Sequence, residues 1–415
     1  MSKRILIHSI VFSPDSVSTA YIYRDIALGL VDDGFEVIVL TSTPHYNLLD
    51  SELVNQPLTP RLFGFYYEST LNKIKVIHIP LTKYKSTLLR ILSFVIWHFK
   101  SLIYGLFIRN ISCILSPSPP LTIGLVSLII AKFKRAKVIY NVQEIYPDLL
   151  INQGSIKSKV LIRVLRVLEK VVYNFSDRVV TIDHSFKRII RSRFKNQSKL
   201  DVITNFVDID TYKPMEEIRL DLPKIFSKPS GKFILMYAGN IGYYQNWEPV
   251  LYAAKQLINS DVEFWIIGEG VYKDVLRQQI TNMALHNVKL FPYQSRDIIP
   301  KINNIADSHF LCVNPNMDSQ GFPSKIYTVM ACAKPLIVVS SKDSPIYKFL
   351  KNKGCAFLLT QDVNLQFVNS IIKLKNNKNL CDSMGKKGLN WVHNQYSKQV
   401  VIKQYVALVN SLIRF

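Results

Sequence analysis

Two glycine-bearing turns are the residues most able to do chemistry. Met236-Tyr-Ala-Gly-Asn-Ile-Gly242 is an apolar strand-like run that turns at Gly239 and Gly242, and helical spacing resumes behind it. Glycines let backbone N–H groups approach a diphosphate, and a helix N-terminus favours the anion. Gly268-Glu-Gly270, after Phe-Trp-Ile-Ile, repeats the pattern on a smaller scale. On pattern alone either is equally a tight turn without a ligand. A third segment, Gln320-Gly-Phe-Pro-Ser-Lys-Ile-Tyr-Thr, opens a helix with Ser324 and Lys325 in its first turn. A lysine there opposes the helix dipole. It is explained either by an anion held at the same place or by plain solvation of the ammonium.

Other chemistries find no support. Cys113, Cys312, Cys332, Cys355 and Cys381 have no C-x-x-C spacing, which argues against a zinc site or disulfide framework and fits a reducing cytoplasm. Eight histidines form no H-x-x-x-H pair, and there is no G-x-S-x-G. Asp208-Ile-Asp210 has the form of a metal-binding D-x-D, but it sits in an interdomain stretch rather than at a strand end. No metal site is expected.

The elements that position these residues alternate strand and helix. Ile5–Val11, Phe35–Thr41, Val76–Ile79, Cys113–Ser116, Val138–Val142 and Arg178–Ile182 read as strands, with a helix over Thr19–Asp32. After residues 206–231, which are polar and carry Pro214, Pro223 and Pro229, the alternation restarts. Phe233–Tyr237, Glu263–Ile267, Val288–Phe291, Ser308–Val313 and Leu336–Val339 read as strands, and Pro249–Ile258, Val271–Met283 and Ser324–Ala333 as helices. Such alternation implies parallel sheets with right-handed crossovers. The expected domains are 1–205, a linker 206–231, a second domain 232–395, and a terminal helix 396–415 packing back toward the first. The 415-residue length suits two domains. Two such domains leave a cleft at the carboxyl ends of their strands, where open α/β sheets bind ligands.

The net charge is +22, and residues 1–200 hold 27 Lys and Arg against 13 Asp and Glu. That balance implies an anionic partner. Charge alone does not argue for nucleic acid, and none is expected. Leu88–Ile108 is long enough to span a bilayer, but Arg90, His98 and Lys100 interrupt it. The expectation is a protein lying on an anionic membrane without crossing it. Lys83, Lys85, Arg90, Lys100, Arg109, Lys132, Lys134, Arg135 and Lys137 are the candidate lipid contacts. Leu121–Ala131 is shorter and reads as a buried helix. No signal peptide is evident before Ile5.

Phe233–Ala254, Trp265–Gly270 and Gly321–Val338 together resemble the C-terminal domain of glycosyltransferase family 4, especially the bacterial surface-polysaccharide subgroup with fucosaminyltransferase-like enzymes. Phe12-Ser-Pro-Asp15, Ala27–Val39, Val142-Gln-Glu-Ile-Tyr-Pro-Asp148 and Val202-Ile-Thr-Asn-Phe-Val-Asp208 resemble its N-terminal patterns, in order along nearly the whole chain. The resemblance implies a GT-B fold, an α/β architecture of two facing Rossmann-like doubly wound domains. It also implies a nucleoside-diphosphate-sugar donor, UDP-sugar favoured, with no other cofactor and no metal, and retention of anomeric configuration. The expected acceptor is a lipid-linked saccharide, reached by a cytoplasmic enzyme peripheral to the inner face of the membrane. Oligomeric state is left open.

The family pattern places donor contacts at Gly239, Gly242, Gln245, Gly268, Pro292, Tyr293, Gln320, Gly321, Phe322, Ser324 and Thr328. Its candidate catalytic residues here are Lys325, Glu144 and Asn240. Four departures stand out. The family's two glutamates eight residues apart are Gln320 and Thr328, and the Arg and Lys of its first C-domain loop are Asn240 and Gln245. Its glycine-rich first loop is Ser16-Val-Ser-Thr19, and its N-domain histidine is Gln143 beside Glu144. Lys325 is then the cation left for the diphosphate. The lost glutamates keep a second reading open, a catalytically silent GT-B protein serving polysaccharide assembly as an interaction subunit. A GT-B nucleotide-sugar epimerase fits the basic, apolar first half poorly.

Overall fold

A computed structural model of the chain describes residues 3–45, 50–152, 154–215, 222–318 and 322–413, so Gln320 and Gly321 lie outside the described residues. The chain divides into two compact units: residues 1–205 with 399–415, and residues 206–398.

Unit 1 is built on nine strands: β1 (Arg4–His8), β2 (Glu36–Ser42), β3 (Thr59–Arg61), β4 (Tyr66–Leu71), β5 (Ile74–Ile79), β6 (Ile111–Pro117), β7 (Lys137–Val142), β8 (Arg178–Thr181) and β9 (Leu200–Val202). Their order is β3-β4-β5-β2-β1-β6-β7-β8-β9. From β5 to β9 the neighbours pair in parallel, while β3 and β4 join the edge antiparallel. Ile5, Leu6 and Ile7 are wholly buried, because a parallel strand with helices on both faces has no polar side. The β3–β4 turn, residues 62–65, is Leu-Phe-Gly-Phe. Its Leu62 and Phe63 take left-handed backbone (φ 45° and 56°), and the Phe63 side chain is fully exposed.

Two apolar helices of unit 1 behave differently. Leu121–Lys134 buries Leu121, Ile123, Val126, Ile130 and Ala131, as its short apolar run suggested. Thr87–Phe107 buries only Trp97, Ser101 and Gly105. Gly105 lies so close to Ile130 that a Cβ would sit 2.3 Å from its Cδ1. The opposite face leaves Leu88 75%, Phe99 63% and Phe107 77% exposed, with Leu92, Val95 and Ile96 between them.

Unit 2 carries β10 (Phe233–Ala238), β11 (Val262–Ile267), β12 (Val288–Phe291), β13 (Ser308–Cys312), β14 (Leu336–Val339) and β15 (Ala356–Leu359) in the order β12-β11-β10-β13-β14-β15, all parallel. The strand order reverses at β10, whose carboxyl end is therefore the binding crevice of such a sheet. Residues 206–231, expected to be a linker, group with this unit. Val207 and Tyr212 sit in its core, and Phe226 packs on Phe291 with ring centroids 4.8 Å apart. Pro214 and Pro223 are exposed between these anchors.

The last helix, Lys398–Ile413, lies almost wholly within the residues that group with unit 1. Tyr405 is buried there and receives a hydrogen bond from Asn141. Ile402 presses on Gly29 so closely that a Cβ on the glycine would lie 2.2 Å from its Cγ2.

Candidate active site

The carboxyl ends of β10 and β11 in unit 2 meet backbone to backbone. Gly268 has φ +147°, and a Cβ there would stand 1.9 Å from the Gly239 carbonyl oxygen. Such an approach admits glycine only. Gly270 contacts Ile241 in the same way, with a Cβ 2.2 Å from its carbonyl oxygen. Tyr237 ties the turn from below, its hydroxyl donating to the Asn240 carbonyl at 2.7 Å.

Into this turn reaches Lys325, from the start of the Lys325–Ala331 helix. A Cβ on Gly239 (φ +149°) would lie 2.7 Å from the Lys325 Nζ, so the glycine is what leaves room for the ammonium. Nζ also sits 3.5 Å from the centroid of the Tyr237 ring. The residue keeps some exposure along its stem, but Nζ itself is enclosed and has no hydrogen-bond partner among the described residues. Burial lowers its pKa to about 7. An enclosed ammonium held only by a ring face is costly. The arrangement is stabilised when an anion enters, and it can then neutralise charge on a leaving phosphate.

The amides of the first turn are less free than its glycines suggested. Gly239 N–H donates to the Ile267 carbonyl at 2.9 Å and Ile241 N–H to the Glu269 carbonyl at 2.8 Å. Gly242 N–H donates to Gln245 Oε1 at 2.9 Å. These three groups hold the turn's shape, so their N–H groups are already engaged within the unit. Gly242 is also less constrained than expected, since a Cβ there would meet only the movable Asn240 side chain at 3.0 Å.

Residues 219–391 match the family described as glycosyl transferases group 1, and residues 20–211 match glycosyltransferase family 4. The chain belongs to glycosyltransferase family 4. Among similar proteins of this glycosyltransferase, WcaI of Escherichia coli (strain K12) is 23% identical over 81% of this chain and 83% of its own length. WcaI is provisionally named a colanic acid biosynthesis glycosyl transferase. WbjE of Pseudomonas aeruginosa, provisionally a glycosyltransferase, is 22% identical over 67% of this chain and 69% of its own. The solved structure of Anabaena Alr3699/HepE in complex with UDP superimposes with a TM-score of 0.72 at 15% identity, covering 98% of this chain and 100% of that one. WaaG, a glycosyltransferase involved in lipopolysaccharide biosynthesis, gives 0.67 at 10% identity over 98% and 99%. The fold is GT-B.

The glycosyltransferase's other expected residues fall in three groups. Beside Lys325 in unit 2 stand Gly239, the exposed Asn240 and Gly268, with Gln245 bracing the turn through its amide oxygen. Thr328 spends its hydroxyl proton on the Lys325 carbonyl at 2.7 Å, and the Ser324 side chain makes no capping bond. Pro292 and Tyr293 follow β12. The Pro292 carbonyl accepts from Gln294 Nε2 at 3.1 Å, and Tyr293 is half exposed. Phe322, expected as a donor contact, packs on Phe349 and Tyr327, with centroids 5.1 and 5.7 Å away, and stays partly exposed.

Glu144 follows β7 in unit 1. It is half-buried, and burial raises its carboxyl pKa. Gln143 beside it is locked between Asn141 and Asn205, with Nε2 donating at 3.2 Å and Oε1 accepting at 3.0 Å. Asp208 of the D-x-D stretch pairs with Lys398 at 3.1 Å. Among the described residues no three His, Cys, Asp or Glu side chains cluster to hold a metal.

Sequence reasoning missed Lys273. Its buried Nζ donates to the Gly268 carbonyl at 2.9 Å and pairs with Glu269 at 2.5 Å, clamping the second turn. The signal was the spacing Gly268-Glu-Gly-Val-Tyr-Lys273, a lysine one helical turn past the second glycine.

Proposed function

We propose that this glycosyltransferase moves a hexose-type sugar from a nucleoside diphosphate, UDP favoured, to a hydroxyl of a lipid-linked saccharide in surface-polysaccharide synthesis. The observation that carries the reading is the enclosed ammonium of Lys325, which has no hydrogen-bond partner among the described residues, beside Gly239 at the carboxyl end of β10. The UDP bound by HepE, the colanic acid role given to WcaI and the lipopolysaccharide role of WaaG support the donor and product classes.

In the proposed reaction the acceptor oxygen bonds to the anomeric carbon as the bond from that carbon to the β-phosphate oxygen breaks. The acceptor proton passes to the departing phosphate, on the same face, so configuration is retained and no protein nucleophile is needed. Lys325 offsets the charge that grows on the diphosphate, without a metal. Asn240 orients it, and Glu144, whose proton affinity is raised by burial, anchors the acceptor or assists its proton.

The enzyme works at the inner face of the cytoplasmic membrane. The exposed apolar face of Thr87–Phe107 supports this, because such a face is otherwise left in water at a cost of about 25 cal/mol per Å². Lys83, Lys85, Arg90 and Lys100 flank or interrupt it and suit anionic headgroups.

The test is a panel of nucleotide sugars with release of nucleoside diphosphate as readout, beside calorimetry with UDP. UDP binding with turnover of one sugar supports the proposal, and EDTA should leave that turnover unchanged. UDP binding without turnover of any panel sugar, given lipid-linked acceptors, favours the silent protein. That alternative draws on Thr328, whose single hydroxyl is already engaged where the family carries a glutamate. Absence of any nucleotide binding overturns both the donor class and the role of Lys325.

A further inference from the structure

A second concave site in unit 2 shares only Gln245 with the expected donor contacts. It is a groove of about 750 Å³ lined by residues of the helices Glu248–Gln256 and Lys273–Asn282 and by Asn314 and Asn364. Its volume is that of a small-molecule site. Four aromatic rings line it: Tyr243, Trp247, Tyr252 and Tyr272. Tyr243 is 60% exposed, and its ring meets Tyr272 edge-on at 5.5 Å. Between the rings stand planar amides, those of Asn246, Gln256, Gln279 and Asn364. The charged lining is one Lys255 and one Glu248, and Glu248 accepts from Asn364 Nδ2 at 3.2 Å.

Three polar atoms of this lining are enclosed and have no hydrogen-bond partner among the described residues: Trp247 Nε1, Gln279 Oε1 and Asn364 Oδ1. Trp247 is only 4% exposed, so its N–H is a fully desolvated donor, and the two amide oxygens are acceptors. Each such group is unfavourable while unsatisfied. A hydroxyl supplies both an acceptor and a donor from one atom. A neutral sugar adds C–H-rich faces that lie against aromatic rings, whose faces carry partial negative charge. Rings beside amides, with one cation and one anion, suit a polyhydroxylated neutral ligand and offer little to a polyanion.

We propose that this groove is a subsite for a neutral glycan, holding a stretch of saccharide away from the reacting sugar. The glycosyltransferase reading supplies the reason a saccharide would be present, but the recognition chemistry is the groove's own. Tyr252 and Gln279 hold the glycan, and Trp247 donates to one of its hydroxyls.

The test uses the full chain and a panel of neutral tetrasaccharides (gluco-, manno- and galacto-configured), read by saturation-transfer NMR and titration. At least one should bind with a Kd on the order of millimolar. Tyr252→Ala and Gln279→Leu should each weaken it about tenfold, while UDP binding by calorimetry stays unchanged. Trp247→Phe keeps the ring and removes the donor, and should lose part of the affinity with the fold intact by circular dichroism. No binding by any tetrasaccharide, or binding that survives both Tyr252→Ala and Gln279→Leu, overturns the subsite. So does a proline-rich peptide that binds this groove in place of every glycan. Because UDP binding is followed in the same samples, its loss in wild-type protein would strike the donor reading instead.

Discussion

The two units break the ordinary rule of burial in opposite directions. Unit 1 sets Leu88, Phe99 and Phe107 in water along one helix, and unit 2 encloses the ammonium of Lys325 without a hydrogen-bond partner among the described residues. Each departure is unfavourable for the isolated chain, and on the reading proposed above each is relieved by a different kind of partner: an apolar, anionic surface for one and a phosphate for the other. The difference teaches that the two proposed interactions rest on chemically separable features, so each should be removable without the other.

The strongest way to break the comparison is Gly239→Val. Its side chain would occupy the space of Lys325 Nζ. UDP-sugar affinity should fall at least a hundredfold, about 2.7 kcal/mol, while cosedimentation with anionic vesicles is unchanged. Loss of both together would show that the two interactions are not independent. Next is Lys325→Ala, which removes a charge-assisted contact of about 1.5–3 kcal/mol. Turnover should fall roughly ten- to a hundredfold, and an unchanged rate in the folded variant would remove Lys325 from the diphosphate site.

The same lysine predicts a pH dependence. Its folded pKa, about 7, lies below the unfolded value near 10.5. Between the two the unfolded chain binds more protons, so the stability of the ligand-free protein should rise with pH across that window. Lys325→Met should raise the melting temperature by about 3 °C at pH 7. Binding of a UDP-sugar, whose phosphates do not titrate there, should take up a proton above pH 7 and weaken by at most about tenfold per pH unit. Calorimetry in two buffers of different ionisation heat reads that proton directly, and no uptake would mean that the ammonium does not face the ligand.

The smallest effect sharpens the unit 1 side. Leu92→Gln with Phe99→Gln should reduce vesicle binding several-fold while leaving UDP affinity intact. Raising the salt should release wild-type protein partly or wholly. Binding indifferent to lipid charge would leave apolar insertion alone, and no binding to any vesicle would remove the membrane from the reading.

Much of this architecture was legible because buried parallel strands announce themselves. Phe233–Tyr237, Val288–Phe291 and Leu336–Val339 are apolar runs between turns, and their strands coincide within a residue. The edge strands were not legible. Thr59–Arg61 is polar and contains Pro60, tolerable only because it lies at the sheet's margin. At the site, Lys325 could be read from its place behind a glycine loop. That the amides of Gly239 and Gly242 are internally spent could not, since their partners, Ile267 and Gln245, are fixed by the meeting of two turns. Nor could the groove of Tyr252 and Gln279, whose residues come from two helices and read singly as ordinary solvated positions.

The closing helix has a consequence for synthesis. Unit 1 is discontinuous: residues 399–415 return to it after all of unit 2 has been made. A ribosome therefore releases the nine-stranded sheet's strands early but supplies Ile402 and Tyr405, which fill the space beside Gly29 and meet Asn141, only after unit 2 has been made. Unit 2 emerges as one uninterrupted segment and can complete its core while the other waits. Throughout that interval unit 1 lacks its Tyr405 packing and carries its exposed helix. The nascent chain is then most in need of a chaperone.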